Sequence, residues 1–226
     1  MSFTATPGPA ALDHIAVACA RLEDGVAWVA ALLGVEPGPG GAHPDMGTHN
    51  RLLRLGADVY LEVIAPDPAV PKPRLRPRWF GFDDPAMQQR LREHGPRLVG
   101  FVARTSDIHT ASASALVPPG PPTLVSRGAL EWLFTVTPDG RLLEEGAVPP
   151  LIQWPDGMAS PAARMPERGL RLQRLMITHP KPQHVRAAWA SVGFVSDLVV
   201  VEPGDGVRLM AEIGLPGGGM ARVSGF

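Results

Sequence analysis

The chain has 226 residues, of which 45% are hydrophobic and 19% charged, a composition typical of a folded globular protein and not of a disordered or fibrous one. Its 21 basic and 22 acidic side chains leave a formal net charge of −1, which disfavours nucleic acids and anionic membranes as partners. The longest apolar run, residues 26–35, is about half of the roughly 20 residues that span a membrane. Residues 1–9 lack the features of a signal peptide and Cys19 is the only cysteine, so we expect a cytoplasmic protein.

The first 66 residues predict a strand, a helix and a hairpin. Residues 12–18 alternate as a strand does, and residues 22–33 carry apolar side chains at helical spacing up to Gly34. A loop rich in glycine and proline then leads to two strand-like runs, 49–55 and 59–64, which flank a short turn. One more short strand would fit before the hairpin, so the first module spans residues 1–66.

A connection rich in proline and arginine, residues 67–96, separates this module from the next. Its prolines oppose both helix interiors and central strands, so we expect residues 67–78 to lie on the surface. Asp84, Pro85 and Gly95 have the positions of an N-cap, a first helical residue and a C-terminal stop. They predict a helix over residues 84–94.

The order of a strand, a helix and further strands returns twice. Within residues 97–157 we predict strands at 98–103, 130–137 and 148–154 and a helix at 107–116. Within residues 170–226 we predict strands at 170–178, 198–201, 207–213 and 220–223 and a helix at 184–192. The sequence therefore predicts an α+β protein of three related units, the second of them degenerate. Each unit is too small to fold alone, so we expect them to pack together and to leave a ligand cavity on the sheet face away from the helices.

Two titratable side chains of the first module are predicted to share one face of its sheet. Alternation puts His14 on the face opposite Ile15, which packs on the helix, and it puts Glu62 on the same face as His14. A histidine and a carboxylate among apolar neighbours make half of a site for zinc, manganese, iron or nickel. The plainer interpretations are a satisfied core histidine and a glutamate paired with an arginine.

The register of the hairpin decides which residue completes this pair. If the hairpin has a two-residue loop, Leu53 lies opposite Glu62, and His49 shares the face of Glu62. A register change of one residue presents Asn50 instead. With His49 in place, two imidazoles and a carboxylate would hold a metal and leave coordination positions open for substrate.

Three segments carry a resemblance to a known family. They are Leu12-Asp13-His14-Ile15-Ala16-Val17, Tyr60-Leu61-Glu62-Val63-Ile64-Ala65-Pro66 and His43-Pro44-Asp45-Met46-Gly47-Thr48-His49-Asn50. They resemble the glyoxalase-like branch of the vicinal oxygen chelate superfamily, most strongly over residues 12–66 and more weakly through Arg78-Trp79-Phe80-Gly81 and beyond. The resemblance implies repeated βαβββ modules that form cupped, mostly antiparallel sheets with helices on the outer face. It also implies a divalent metal held by the first and last strands of each module.

Carried over by position, the resemblance makes His14 and Glu62 metal ligands. The second module departs from the family pattern, because Gly100 and Gln153 stand where its ligands are expected. The third module has Arg174 at the histidine position and no clear acid on its last strand. The full set of four ligands is therefore not visible in the sequence.

Further side chains are predicted to act beside this pair. His49 is a candidate acid–base group as well as a third ligand, and Tyr60 is a candidate proton donor. Substrate contacts are expected from His43, Asn50, Arg78 and Trp79. For His43 the plainer interpretation is a loop-shaping role, and for the cluster of Arg74, Arg76 and Arg78 it is a solvated surface.

Two functions from different classes remain open. The first is a metal-dependent lyase, isomerase or dioxygenase that binds a small oxygen-bearing molecule. The second is a metal-free binding protein whose cup has walls formed by Trp79, Trp132, Trp154 and Phe101. The ligands missing from the later modules favour the second, and the pair of His14 and Glu62 favours the first. A homodimer would reconcile them by completing each site across a two-fold axis.

Overall fold

The computed structural model of the chain describes residues 3, 8–70, 76–158 and 160–226. In these residues twelve strands form one sheet of eight strands and one of four. Most neighbouring strands are antiparallel, and the helices of residues 22–33 and 108–113 pack on the outer face of the larger sheet. The predicted α+β class of cupped, repeated modules is confirmed. No helix in the described residues is long and apolar enough to cross a membrane.

The first module has the element order βαβββ. Its elements are β1 (Ala11–Ala18), α1 (Leu22–Leu33), β2 (Gly38–His43), β3 (Thr48–Arg54) and β4 (Tyr60–Pro66). The extra strand for which the sequence left room is β2. The first and last strands, β1 and β4, pair in parallel, which is possible because α1 forms the crossover. Helix α1 ends where Gly34 adopts a left-handed conformation with φ of 68° and donates its N–H to the carbonyl of Ala30.

The second module repeats this order after a separate helix. Its elements are α2 (Pro85–His94), β5 (Arg97–Arg104), α3 (Ile108–Ala113), β6 (Pro122–Arg127), β7 (Leu130–Thr135) and β8 (Leu151–Gln153). The predicted N-cap of α2 is confirmed, because Asp84 accepts a hydrogen bond from the N–H of Ala86. The sequence missed β6, whose apolar side chains do not alternate. Together the two modules form the larger sheet in the order β2-β3-β4-β1-β5-β8-β7-β6, with β1 antiparallel to β5 at its centre.

The third unit forms the smaller sheet. Its elements are β9 (Arg171–His179), α4 (Pro182–Ser191), β10 (Val199–Pro203), β11 (Arg208–Gly214) and β12 (Met220–Ser224), paired in the order β10-β9-β11-β12. Here the strand that follows the helix pairs in parallel with the first strand, whereas in the other modules the last strand does so. The third unit therefore repeats the order of elements but has a different topology.

The larger sheet curves until its two edge strands approach each other. Ser126, at the end of β6, donates a hydrogen bond to Asp45 beyond β2 at 3.0 Å. A Cβ at Gly41 on β2 would lie only 2.8 Å from Cγ of Arg127 on β6. The absence of a side chain at Gly41 therefore lets the edges meet, and the concave face becomes a nearly closed cup.

The larger sheet separates two cores, as the alternation along its strands predicts. Ile15 and Val17 pack outward on α1, while Ala16 and Ala18 point into the cup. Phe101 also points outward, with its ring centroid 5.4 Å from that of Phe194 in the third unit. The prediction that Phe101 is a wall of the cup is therefore wrong, because its position on β5 has the outward parity.

Helix α1 packs so closely on the sheet that Gly25 has no space for a side chain. A Cβ at Gly25 would lie 2.5 Å from Sγ of Cys19 and 2.6 Å from Cγ1 of Val63. Cys19 is fully buried, and burial raises the pKa of its thiol to about 12. The thiol is therefore protonated at neutral pH.

Replacing Gly25 with alanine should lower the free energy of unfolding by about 1 kcal/mol. Alanine gains about 1 kcal/mol in helix propensity, but overpacking a core usually costs about 1–3 kcal/mol. Urea unfolding would measure the difference. Gly56→Ala is the matched control, because no atom lies within 4 Å of a Cβ at that position. A Gly25→Ala protein that is more stable than the wild type would show that α1 can move away from the sheet.

Candidate functional site

The cup contains a cavity of about 20 Å³, which is room for roughly one water molecule. The first module supplies its polar side, formed by His14, His43, Asn50, Tyr60 and Glu62. The opposite wall is mainly aromatic and consists of Trp79, Phe80, Trp132, Phe134 and Trp154. The first module therefore faces a wall of different chemistry, formed by the second module and by Trp79 and Phe80 of the connection before α2.

Three titratable side chains form a buried row beside the cavity. Nδ1 of His14 lies 2.7 Å from Oδ1 of Asp13, and Nε2 of His14 lies 3.5 Å from Oε2 of Glu62. None of the three residues is more than 6% exposed. The structure thus brings His14 and Glu62 together as the sequence predicted, and it adds Asp13.

Asp13 reaches this row because β1 contains a bulge. Simple alternation would place Asp13 on the face opposite His14. The register between β1 and β5 shifts between Leu12 and His14, so Asp13 is the extra residue and its side chain is redirected. Its second carboxylate oxygen accepts a hydrogen bond from Nε1 of Trp154 at 2.9 Å. Sequence analysis missed Asp13 because nothing in the sequence marks the bulge.

Tyr60 supports the same row. Its ring stacks on the imidazole of His14 with a centroid distance of 4.6 Å. Burial raises the pKa of the Tyr60 hydroxyl well above its ordinary value, and the carboxylate of Asp13, which shares a hydrogen bond with the hydroxyl, raises it further. The phenol is therefore neutral and holds Asp13 and His14 in place. Its predicted role as a proton donor remains a prediction.

The hairpin register predicted for β3 and β4 was wrong by one residue. Leu55 donates its N–H to the carbonyl of Val59, so the loop has three residues instead of two. Leu52, and not Leu53, therefore pairs with Glu62. A shift of one residue exchanges the two faces of a strand. His49 consequently points away from the cup and Asn50 points into it, which is the alternative that the sequence left open.

The Asn50 amide is held by contacts on both sides. Its Nδ2 donates to Oε1 of Glu62 at 2.6 Å and lies 3.4 Å from Nε2 of His43. Its Oδ1 accepts from the N–H of Gly41 at 2.9 Å and lies 3.4 Å from Nη1 of Arg127. These contacts fix the orientation of the amide, because the oxygen faces donors and the nitrogen faces acceptors. Asn50 thereby orients the carboxylate of Glu62.

His43 is a neutral member of the cavity lining. Its ring lies edge-on to Trp79, with centroids 5.1 Å apart. Its Nδ1 lies 3.1 Å from Oγ1 of Thr48, which also accepts a hydrogen bond from Nε1 of Trp79. Burial lowers the pKa of His43 to about 4, so the imidazole is uncharged at neutral pH. His43, Asn50 and Trp79 all reach the cavity, and their predicted contacts with substrate remain predictions.

His49 and Arg78 lie in a separate, open cleft of about 700 Å³ outside the cup. The guanidinium of Arg78 donates to Oδ1 of Asp83 at 2.9 Å and to the carbonyl of Gly47 at 3.0 Å. Neither His49 nor Arg78 lines the cavity that contains His14. The expectation that they contact a substrate or metal there is wrong, because the hairpin register and the pairing of Arg78 with Asp83 direct both side chains elsewhere. Arg74 lies outside the described residues.

His14 and Glu62 are both ionised at neutral pH. Burial opposes the charged form of His14, but its hydrogen bonds to Asp13 and Glu62 outweigh this effect and raise its pKa to about 9. Burial also opposes the charged form of Glu62, but the hydrogen bonds of His14 and Asn50 lower its pKa to about 2. The cup therefore contains a buried ion pair of the His14 imidazolium and the Glu62 carboxylate, with Asp13 on the other side of the imidazolium.

A family model described as a glyoxalase-like domain matches residues 12–193. The chain belongs to the glyoxalase-like domain family. The resemblance found in residues 12–66 is thereby confirmed, and the match extends well beyond those residues. No curated protein matches the sequence.

Several solved structures are similar to this chain at low sequence identity. A hypothetical protein from Staphylococcus aureus is 16% identical, with a TM-score of 0.58 over 96% of this chain and 86% of that one. A variant of 4-hydroxymandelate synthase from Streptomyces coelicolor is 15% identical, with a TM-score of 0.46 over 97% and 63% of the two chains. Methylmalonyl-CoA epimerase from Mycobacterium tuberculosis is 20% identical, with a TM-score of 0.40 over 63% and 86%.

The glyoxalase-like cup supplies only part of a metal site. The 3.5 Å between Nε2 of His14 and Oε2 of Glu62 would let both atoms reach one ion. Asp13 would serve as the carboxylate that orients a ligating imidazole. However, protein sites for catalytic metals usually have three protein ligands and structural sites four. The described residues contain no group of three or more histidine, cysteine, aspartate or glutamate residues that could hold a metal ion.

The second module does not supply the missing ligands. Val102, the β5 residue that pairs with His14, and Ile152 on β8 are apolar and lie in the cup. Gln153 points the other way, where its Oε1 accepts a hydrogen bond from the N–H of Ile108 on α3. Gly100 has no side chain. In the third unit Arg174 is exposed, so it does not reach the cup. Among the described residues, the donor set is therefore incomplete for a resident metal.

Proposed function

We propose that this glyoxalase-like protein is an enzyme that transfers a proton on a small oxygen-bearing molecule, using the ion pair of His14 and Glu62. The observation that carries this proposal is geometric: the buried imidazole of His14 lies 2.7 Å from Asp13 and 3.5 Å from Glu62, beside a cavity. Burying ionised groups is costly in free energy. A cluster of strongly shifted pKa values in a cleft is typical of functional sites.

In such a reaction His14 can act as the acid and Glu62 as the base. Nε2–H of His14 would donate to a substrate oxygen and stabilise negative charge that develops there. Oε2 of Glu62 would accept a proton from the neighbouring carbon, while Asn50 holds Oε1. When the substrate takes the hydrogen bond of His14, Glu62 loses a partner and its pKa rises, which makes it a stronger base. Lyase and isomerase reactions on hydroxyketones or 2-oxo acids contain this step.

A divalent-metal enzyme is the second candidate, and one observation favours it. Asp13 accepts from Nδ1 of His14 and leaves Nε2 facing Glu62, which is the arrangement around many metal-ligating histidines. A metal would supply Lewis-acid stabilisation of the substrate oxygen. Only these two donors are in place, so the first candidate agrees better with the donor set.

Metal analysis separates the two candidates. We expect protein purified without chelator or added metal to contain far less than one metal ion per chain, since two donors rarely hold an ion. The double variant His14→Ala/Glu62→Ala should have the same metal content, as should the control His109→Ala, which removes an exposed histidine. Near-stoichiometric metal that only the double variant loses would contradict the metal-free mechanism and support the second candidate.

Proton exchange tests the activity itself. In deuterated water the protein should speed deuterium incorporation next to the carbonyl of a small hydroxyketone or 2-oxo acid, which NMR detects. His14→Gln and Glu62→Gln should each lower that rate by at least about 100-fold, because general acid–base groups contribute about 10²–10⁴-fold. If the wild-type protein binds such molecules without exchanging their protons, it is a binding protein and not an enzyme of this class.

A further inference from the structure

One buried donor in the cup has no partner. Trp132 lines the cavity and is 3% exposed. Among the described residues, its indole N–H is the only buried side-chain nitrogen or oxygen without a hydrogen bond. Leaving a buried donor without an acceptor is unfavourable, because the group loses its hydrogen bonds to water and gains none in the protein. Such a group in the wall of a cavity points to a ligand that supplies the acceptor.

Arg127 lines the same cavity and has no carboxylate partner among the described residues. Its guanidinium carbon lies 5.9 Å from the ring centroid of Trp132, and its Nη1 lies 3.4 Å from Oδ1 of Asn50. The residue is only partly exposed. The guanidinium is always charged and presents a planar fork of donors that matches a carboxylate.

The carboxylates of the cup already accept hydrogen bonds from donors other than Arg127 and Trp132. Asp13 accepts hydrogen bonds from His14 and Trp154, and Glu62 accepts one from Asn50 and faces His14. Arg127 and Trp132 therefore form a separate end of the cavity, with one unpaired positive charge and one unpaired N–H.

The distance between the two ends limits the size of the ligand. A single amide, that of Asn50, connects Arg127 with Glu62 through contacts of 3.4 and 2.6 Å. A molecule with a carboxylate at Arg127 and an oxygen at His14 is therefore short, and 2-oxo and 2-hydroxy acids, which have these groups on adjacent carbons, are of this kind. The cavity holds roughly one water molecule, so a ligand of several heavy atoms requires the wall around Trp132 to move outward.

We propose that Arg127 and Trp132 bind the carboxylate of the substrate, and that the substrates are small 2-oxo or 2-hydroxy acids. The carboxylate accepts hydrogen bonds from the guanidinium and the indole N–H, and the neighbouring oxygen accepts from His14. This inference rests on the proposed function and specifies the substrate class of the same site. The shared chemistry is recognition of an oxyanion. The geometry favours a carboxylate over a phosphate because Arg127 is the only arginine among the described residues that line the cavity.

Calorimetric titration with pyruvate and its neutral amide, pyruvamide, tests the inference. We expect pyruvate to bind at least about tenfold more tightly, since a hydrogen bond to a charged group contributes about 1.5–3 kcal/mol. Arg127→Met keeps the length of the side chain but removes its charge, and should abolish this preference. Trp132→Phe keeps a ring but removes the N–H, and should weaken pyruvate binding by about tenfold with little effect on pyruvamide. Arg141→Met, which alters an exposed arginine, should match the wild type.

Several results would overturn the inference. They are equal affinity for pyruvate and pyruvamide, a preference for pyruvate that survives in both Arg127→Met and Trp132→Phe, or no saturable binding of pyruvate. Inorganic phosphate that binds as tightly as pyruvate and is lost in Arg127→Met would also overturn the assignment to carboxylates. Proton exchange distinguishes this failure from failure of the proposed function. Exchange without a carboxylate preference contradicts only this inference, and a carboxylate preference without exchange contradicts only the proposed function.

Discussion

Replacing either His14 or Glu62 with leucine should lower the free energy of unfolding by about 3 kcal/mol, and replacing both should cost much less than the sum. Removing one member of a buried ion pair leaves the other charged and unpaired, which typically costs about 3–5 kcal/mol. The lower figure applies because Asp13 still holds His14 and Asn50 still holds Glu62. The double variant removes both charges, and apolar replacements of similar volume are often nearly neutral.

A double-mutant cycle measured by urea unfolding gives the coupling between the two side chains. We expect a coupling free energy of about 2 kcal/mol. The exposed pair of Glu167 and Arg171, with an oxygen–nitrogen distance of 2.7 Å, is the matched control and should couple far more weakly because water screens it. Additive losses for His14 and Glu62 would show that the two groups do not interact in the folded protein.

The stability of the protein should reach its maximum near pH 6.5 and fall on both sides. The folded pKa of His14 is about 9, above its ordinary value of 6.5. Its contribution is therefore complete below pH 6.5 and is lost as the pH rises through 9. The folded pKa of His43 is about 4, below its ordinary value of 6.5. Its contribution is complete above pH 6.5 and is lost as the pH falls through 4.

Glu62 adds a further loss of stability at low pH. Its folded pKa of about 2 lies below its ordinary value of 4.5, so its contribution is complete above pH 4.5 and is lost as the pH falls through 2. A pKa shift of this size corresponds to roughly 3 kcal/mol of folding stability for each group. The shifts of His14 and Glu62 arise largely from the same ion pair, so their contributions are not added. The alkaline loss of stability should therefore amount to about 3 kcal/mol.

Urea unfolding at a series of pH values checks this profile. His14→Gln should remove the decline above pH 6.5, and His43→Gln should reduce the decline between pH 6.5 and 4. The measurement requires protein of known metal content, because a bound cation would change the charge of the cup. A wild-type profile that stays flat from pH 6.5 to 9 would contradict the assignment of His14 as a buried imidazolium.

The arrangement of modules could be predicted from the sequence because it depends on local patterns. The helical spacing up to Gly34 and the capping residues around Asp84 act within a few positions, and both helices end where expected. Strand β6 was missed because its two apolar residues, Leu124 and Val125, are adjacent and do not alternate. Its place in the sheet depends on pairing with β7, which is a tertiary contact.

The site could be predicted only in part, because two single-residue irregularities determine its composition. Because the hairpin loop has a third residue, Asn50 faces the cup instead of His49. The bulge in β1 brings Asp13 beside His14. Each changes which side chains face the cup without changing the hydrophobic pattern that predicts the strands. The unpaired N–H of Trp132 could not be predicted at all, since it depends on packing between distant segments.

The cup has a polar half and an aromatic half, so the residues that carry out the proton transfer are separate from those that shape the substrate space. Selection can act on these two properties independently. Substitutions at Trp132 or Phe134 would reshape the space beside the substrate and leave His14 and Glu62 in place on the other module. Sequence drift in β6, β7 and β8 could therefore change which molecules are accepted while the proton chemistry stays the same. A glyoxalase-like chain of this kind can diversify its substrates through one half of a sheet at little risk to its reaction.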